Sequence, residues 1–212
     1  MVDVKKLFFS IAVVLIIIVS VVYGTYAFFN ATATPNNSVS GVSADISFSV
    51  NASVVYKATN LIPVTEANMD STVNKASNNC RDNDNRDVCS LYKINIVNSG
   101  EASALNGYVI TSSSTYTTNN LKYKVYTKSG NVYTAVTDAM ILSHNSGDSV
   151  YFKSNNVNLT TNIAINETKT YYIAFWINEV NGVQNADQEQ NYSCKIGFEG
   201  LNGSSLSIPF NV

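Results

Sequence analysis

From about residue 39 onward the chain is written in alternation. Ile46, Phe48 and Val50 alternate with Asp45, Ser47 and Ser49. Tyr92, Ile94 and Ile96 share one face of a segment whose other face carries Leu91, Lys93, Asn95 and Val97, and Tyr123 and Val125 alternate with Lys122 and Lys124. Successive side chains of a strand point to opposite faces, so this period of two predicts half-buried antiparallel strands. The runs are separated by Asn98-Ser99-Gly100, Ser129-Gly130-Asn131, Asn145-Ser146-Gly147 and Asn202-Gly203. Asn and Gly tolerate positive φ, which makes these clusters turns. Residues 170–180 (TYYIAFWINEV) are apolar on both faces, as expected of a central strand covered on both sides, with Ile173, Phe175 and Ile177 in the core. Residues 190–199 return to alternation, with Tyr192, Cys194, Ile196 and Phe198 on one face. One short helix is predicted, capped by Thr65 and running from Glu66 to about Val73. The expected fold is an all-β antiparallel sandwich or jelly roll, forming one domain over residues 39–212.

The first thirty residues follow a different rule. Asp3, Lys5 and Lys6 are the only charges before Asp45, and residues 7–22 read LFFSIAVVLIIIVSVV. Lysines, an apolar run and then the small residues of Gly24-Thr25-Tyr26-Ala27 predict a signal peptide over residues 1–27, cleaved between Ala27 and Phe28. The apolar segment, residues 7–29, is also long enough to cross a bilayer, so an uncleaved anchor helix is the second reading. Under both, the bulk of the chain lies outside the cytoplasm, secreted or on the outer face of the membrane, and touches lipid only through residues 7–29.

Cleavage would expose an arm, residues 28–38. Within it Phe29, Ala31 and Ala33 alternate with Asn30, Thr32 and Thr34, with no charge, until Pro35 removes a donor from the ladder. Such a strand pairs either with its own sheet or with an edge on another copy. The second possibility makes Phe29, Ala31 and Ala33 a candidate assembly strand for a homopolymer.

Composition narrows the chemistry. Charged residues are 13% of the chain and hydrophobic ones 45%, with a net charge of −2. A chain with this balance has no electrostatic footprint for nucleic acid. The single histidine, His144, rules out histidine-rich metal centres, and neither a GxSxG elbow nor a glycine-rich phosphate loop occurs. Asp and Glu are scattered, among them Glu179, Asp187, Glu189 and Glu199. No catalytic residue, cofactor or metal is therefore expected. Cys80 and Cys89 bracket CRDNDNRDVC and, in an exported chain, are expected to form a disulfide, leaving Cys194 as a small buried hydrophobe. Asp82, Asp84 and Asp87 in that loop have the spacing of calcium ligands, but Arg86 occupies the fifth position and no glycine the sixth, so a solvated tip is expected.

Gly24-Thr25-Tyr26-Ala27-Phe28-Phe29-Asn30 resembles the GT[WY]AxF stretch at the signal-peptide junction of the TasA/camelysin family, exported proteins of Gram-positive bacteria processed by a SipW-type signal peptidase. Ser40-Gly41-Val42-Ser43-Ala44-Asp45-Ile46 resembles the family's strand entry, and residues 91–100 (LYKINIVNSG) its strand ending in an Asn-x-Gly turn. Phe175-Trp176-Ile177, followed by Gln184-Asn185-Ala186-Asp187-Gln188, is a third echo. The resemblance implies a jelly roll, secretion, and a structural place in biofilm-matrix fibres, with the signal peptidase as a transient partner. The metallopeptidase label of camelysin finds no ligand set in a chain with one histidine. Three functions follow in order: an exported matrix or surface fibre subunit assembling by strand donation, a monomeric surface adhesin or carbohydrate-binding sandwich, and a secreted hydrolase.

Overall fold

The computed structural model describes residues 30–32, 38–42, 47–75, 80–101, 103–182, 184–200 and 205–211. Two sheets face each other. The first runs β1 (Asn30–Thr32), β15 (Ser205–Asn211), β14 (Tyr192–Gly200), β5 (Ser103–Ser114) and β12 (Thr160–Ile163), with β9 (Ser149–Tyr151) also pairing β5. The second runs β2 (Ser38–Val42), β3 (Ser47–Tyr56), β4 (Ser90–Asn98), β13 (Thr168–Ile177), β6 (Leu121–Ser129) and β7 (Val132–Ala135), with β8 (Met140–Ile141) beside β6. A separate two-stranded ribbon joins β10 (Lys153–Ser154) to β11 (Val157–Asn158). All pairs are antiparallel except β1 with β15. The body is an all-β sandwich.

The alternation read from the sequence has a direct physical outcome. Phe48 and Val50 of β3, Tyr92, Ile94 and Ile96 of β4, and Tyr123 and Val125 of β6 are buried between the sheets. From the opposite sheet, Tyr192, Cys194, Ile196 and Phe198 of β14 meet them. Tyr92 packs edge-to-face on Phe175 of its own sheet, with ring centroids 5.9 Å apart, and on Phe210 of the opposite sheet at 4.8 Å, which ties the two layers together. On the first sheet two glycines lie beneath aromatic rings. A Cβ on Gly197 would meet the Tyr108 ring at 2.4 Å, and one on Gly107 the Phe152 ring at 2.3 Å. Only hydrogen fits under those rings, which makes glycine a packing residue inside these strands.

β13 is central and covered on both faces. Ile173, Phe175 and Ile177 enter the inter-sheet core, whereas Ala174 and Trp176 point to the outer face of the second sheet. There a second cluster forms from Met69 and Val73, the disulfide cysteines, Leu91, Tyr126 and Tyr133. Its lid is helix α1 (Glu66–Val73), with Thr65 at the N-cap position in an extended conformation. No side-chain cap bond forms at Thr65. The helix is held instead by its two buried apolar residues, Met69 and Val73, and by charge pairs to β6, Glu66 with Lys122 at 2.8 Å and Asp70 with Lys124 at 3.0 Å. Tyr126 also donates to Asp70 Oδ1 at 2.9 Å. Its hydroxyl pKa is raised by burial and by the Asp70 charge, which keeps it a donor at any physiological pH.

Asn98 closes the first strand–turn signal. It is buried, its amide nitrogen donates to Glu101 O at 2.6 Å and to Ala164 O at 3.2 Å, and its Oδ1 accepts from Gly100 N at 3.0 Å. The turn residue therefore also staples the β12–β13 connection.

Candidate functional site

Of the expected N-terminal features, Ala27, Phe28, Phe29 and Ala33, together with the apolar segment of residues 7–29, lie outside the described residues. Ala31 lies in β1, where Asn30, Ala31 and Thr32 pair in parallel with Ser205, Leu206 and Ser207. The arm's strand thus lies on the edge of its own sheet, the first of the two pairings the sequence allowed. Its ladder is three residues long. Beyond it β15 carries Pro209, which has no N–H to offer an incoming strand. No described helix is long and apolar enough to cross a membrane.

Cys80 and Cys89 form a disulfide with Cα atoms 4.7 Å apart, and Cys194 is a free thiol buried between the sheets. Such a bond fits an oxidising, extracellular-type compartment. Burial pushes the Cys194 thiol pKa up, so it behaves as the apolar residue its position on β14 demands. The carboxylates of the bracketed loop face cations of the protein itself. Asp82 accepts from the Arg86 backbone at 2.9 Å and from Arg86 Nε at 2.7 Å, and Arg86 also pairs with Asp84 at 3.0 Å. Asp87 turns the other way. It accepts from the Tyr56 hydroxyl, from Thr59 N at 3.0 Å and from Thr59 Oγ1 at 3.2 Å, and pairs with Arg81 at 3.3 Å. Arg81 lies over the Tyr56 ring, 5.4 Å from its centroid. The calcium-like spacing is thus spent on intramolecular ion pairs, and no group of three ligating side chains gathers among the described residues.

These pairs give a pH dependence with a defined sign. The Arg86 amide and guanidinium hold the Asp82 carboxyl below its ordinary value of 3.8, and the Tyr56 hydroxyl, the Thr59 amide and then Arg81 do the same for Asp87. A folded pKa below the unfolded one supports the loop fully above the ordinary value, and the support is lost as the pH falls through the lower, folded value. NMR titration of a full ¹³C,¹⁵N-labelled sample should show residues 57–62 and 80–88 changing together below about pH 4, while β13 amides stay constant. Carboxyl titration of Asp87 at or above the ordinary value would contradict this.

His144 is exposed between β8 and β9. The neighbouring Ser143 hydroxyl donates to Asp148 at 2.5 Å, not to the imidazole, so the local Ser, His and Asp do not line up as a nucleophile with its base.

The scattered carboxylates at the end of the sequence resolve into something more specific. Asp187 sits on a 3-10 turn (Asn185–Asp187) between β13 and β14 and is 6% exposed. It accepts from the Thr118 hydroxyl, from Asn120 Nδ2 at 2.8 Å and from Gln184 Nε2 at 3.1 Å. This carboxylate thereby locks the β5–β6 loop to the β13–β14 loop. A third loop, between β3 and α1, is pinned alongside: Ile62 N donates to Asp87 O at 2.8 Å and Val64 N to Ile177 O at 3.0 Å. The three loops enclose a cleft of about 380 Å³. Tyr116, Ile177, Leu61 and Pro63 supply its apolar surface, and Asn60 and Gln190 stand on its polar walls. Glu189, with a left-handed φ of 57°, adds a second carboxylate. No lysine or arginine lines it among the described residues. Burial, then the Asp187 charge, raises the Tyr116 pKa to about 12, so its hydroxyl is a neutral donor in the cleft. Sequence reading named Asp187 and Glu189 as scattered carboxylates, and Asp187 also within a family-like segment, without joining them to a site, and missed Asn60 and Tyr116. Loop residues more than fifty positions apart carry no local period that would join them.

No family model matches the chain and no curated protein matches it. Among solved structures, it is similar at 14% identity to a chain described as manganese lipoxygenase of Gaeumannomyces graminis with a partial structure of zonadhesin of Komagataella pastoris. That likeness covers 57% of this chain and 42% of that one, with a TM-score of 0.23. A sugar phosphate isomerase of the cupin superfamily from Silicibacter pomeroyi is 6% identical over 60% of this chain and 68% of its own, with a TM-score of 0.15. Both scores fall far short of a shared fold.

Proposed function

We propose that the protein is an exported structural subunit of the TasA/camelysin type, a β-sandwich that assembles with copies of itself at the cell surface or in an extracellular matrix. The observation that carries this reading is the placement of the N-terminal strand. β1 is a three-residue edge strand, the one parallel pairing among the described strands, added to the last strand of the chain. A short parallel ladder holds a strand less firmly than the long antiparallel ladders of the body. Release of β1 from its own β15, and its capture by β15 of a neighbour, exchanges like for like. The open edge on each copy then propagates a chain. A charged fraction of 13% leaves little repulsion between copies. The disulfide supports export, and processing between Ala27 and Phe28 would free the arm to move.

The test is assembly of the processed protein with and without residues 28–34. Sedimentation and electron microscopy should show concentration-dependent polymers of the mature chain. The shortened chain should remain monomeric with an unchanged thermal midpoint. Undiminished polymers from the shortened chain would end this reading.

A further inference from the structure

We propose that the cleft between the β3–α1, β5–β6 and β13–β14 loops binds a small neutral saccharide. The site is built before any ligand arrives. Asp187 clamps two of its walls through Thr118, Asn120 and Gln184. Gln184 is held in turn, donating to Asn178 O at 3.0 Å and accepting from Val180 N at 3.1 Å. The mouth is fixed where Thr115 N donates to Asn191 O at 3.0 Å and Asn191 N to Thr115 Oγ1 at 2.8 Å. Loops fixed in advance lose little entropy on binding.

Two groups on the lining are uncommitted, one on the largely buried Tyr116 and one on the exposed Asn60. The Tyr116 hydroxyl belongs to a residue 8% exposed and makes no hydrogen bond among the described residues, and the Asn60 side-chain amide likewise makes none. An accessible hydroxyl and an exposed amide on the lining are free to meet a ligand's polar atoms. The volume of about 380 Å³ lies at the lower end of small-molecule sites, which span roughly 300–1,000 Å³.

The lining selects the ligand class. With no lysine or arginine on it among the described residues, the cleft offers no charged donor to a phosphate or carboxylate. Asp187 is already occupied by three neutral donors, which leaves it a scaffold and a poor ligand for a bare cation. What remains is an apolar patch from Tyr116, Ile177, Leu61 and Pro63, bordered by amides and a hydroxyl. A sugar ring presents the complementary surface: C–H groups on one face and hydroxyls around the rim.

This site is separate from the assembly edge. β1 lies beside Ser205–Ser207, which pair with Gly197–Glu199 at the far end of β14, whereas Gln190 precedes the start of that strand. Saccharide binding and polymer formation can therefore fail independently. The experiment is titration of the full chain with cellobiose, maltose and N,N′-diacetylchitobiose, followed by NMR and calorimetry. Saturable binding of at least one is expected. Tyr116→Phe and Asn60→Ala should each weaken it about tenfold, with the thermal midpoint unchanged. Absence of saturable binding to all three, or undiminished affinity in both variants, would each overturn the proposal.

Discussion

Replacing Trp176 by alanine is expected to destabilise the protein by about 3–5 kcal/mol, read as a fall in the urea midpoint at constant m-value. Trp176 is fully buried on the outer face of the central strand, packed among Met69, Val73, Leu91 and the disulfide. Removing the indole opens a cavity under α1. The lid cannot collapse into it, because Lys122 and Lys124 hold the helix at a fixed height above β6. The indole nitrogen has no hydrogen-bond partner among the described residues. Trp176→Phe therefore deletes an unsatisfied donor along with part of the ring, and its loss should be well under half that of alanine. Equal losses for the two variants would show that the ring volume is not what the lid rests on.

The same strand shows why much of the sandwich was legible. An alternating run predicts one buried face, whereas residues 170–180 predict two, and Ile173 and Trp176 indeed face different clusters. Thr65 and the eight residues after it place the helix correctly, although its capping hydroxyl makes no cap bond. What was not legible is the stretch from Val132 to Ile163. Its strands are two to four residues long, too short for a period to repeat, and their positions come from pairing with β5, β6 and one another. β5 itself was hidden by its composition. SALNGYVITSSS reads as a turn-former's sequence, yet Leu105 and Val109 are fully buried within it. Gly107 sits there because Phe152 covers it, a requirement set by a residue forty-five positions away.

The cleft shows the same limit in sharper form. Asp187 is informative only once Thr118, Asn120 and Gln184 surround it, and those contacts span up to 69 positions. A lone carboxylate in a polar loop has the same sequence signature whether it faces water or clamps two loops. The disulfide was easier, because two cysteines nine positions apart in a chain read as exported need no tertiary information to be paired.

That disulfide carries the second large expectation. Replacing Cys80 and Cys89 together by alanine should lower stability by about 2–4 kcal/mol, with the loss concentrated in the lid. Closing the loop stabilises by limiting the unfolded chain, and here it also contributes buried surface. Both cysteines are fully buried beside Met69, Leu91 and Trp176. The loop between them positions Asp87, whose backbone and side chain fix the β3–α1 connection at Ile62 and Thr59. Reduction should therefore act in sequence. Hydrogen exchange would first accelerate at residues 57–75 and 80–90, while amides of β13 and β14 keep their protection, because the inter-sheet core contains no part of the crosslink. The wall carrying Asn60 belongs to the segment that loosens, so the cleft should lose its shape before the sandwich unfolds. Uniform acceleration across both sheets would mean that the lid and the sandwich form one cooperative unit, and that the outer cluster supports the whole fold.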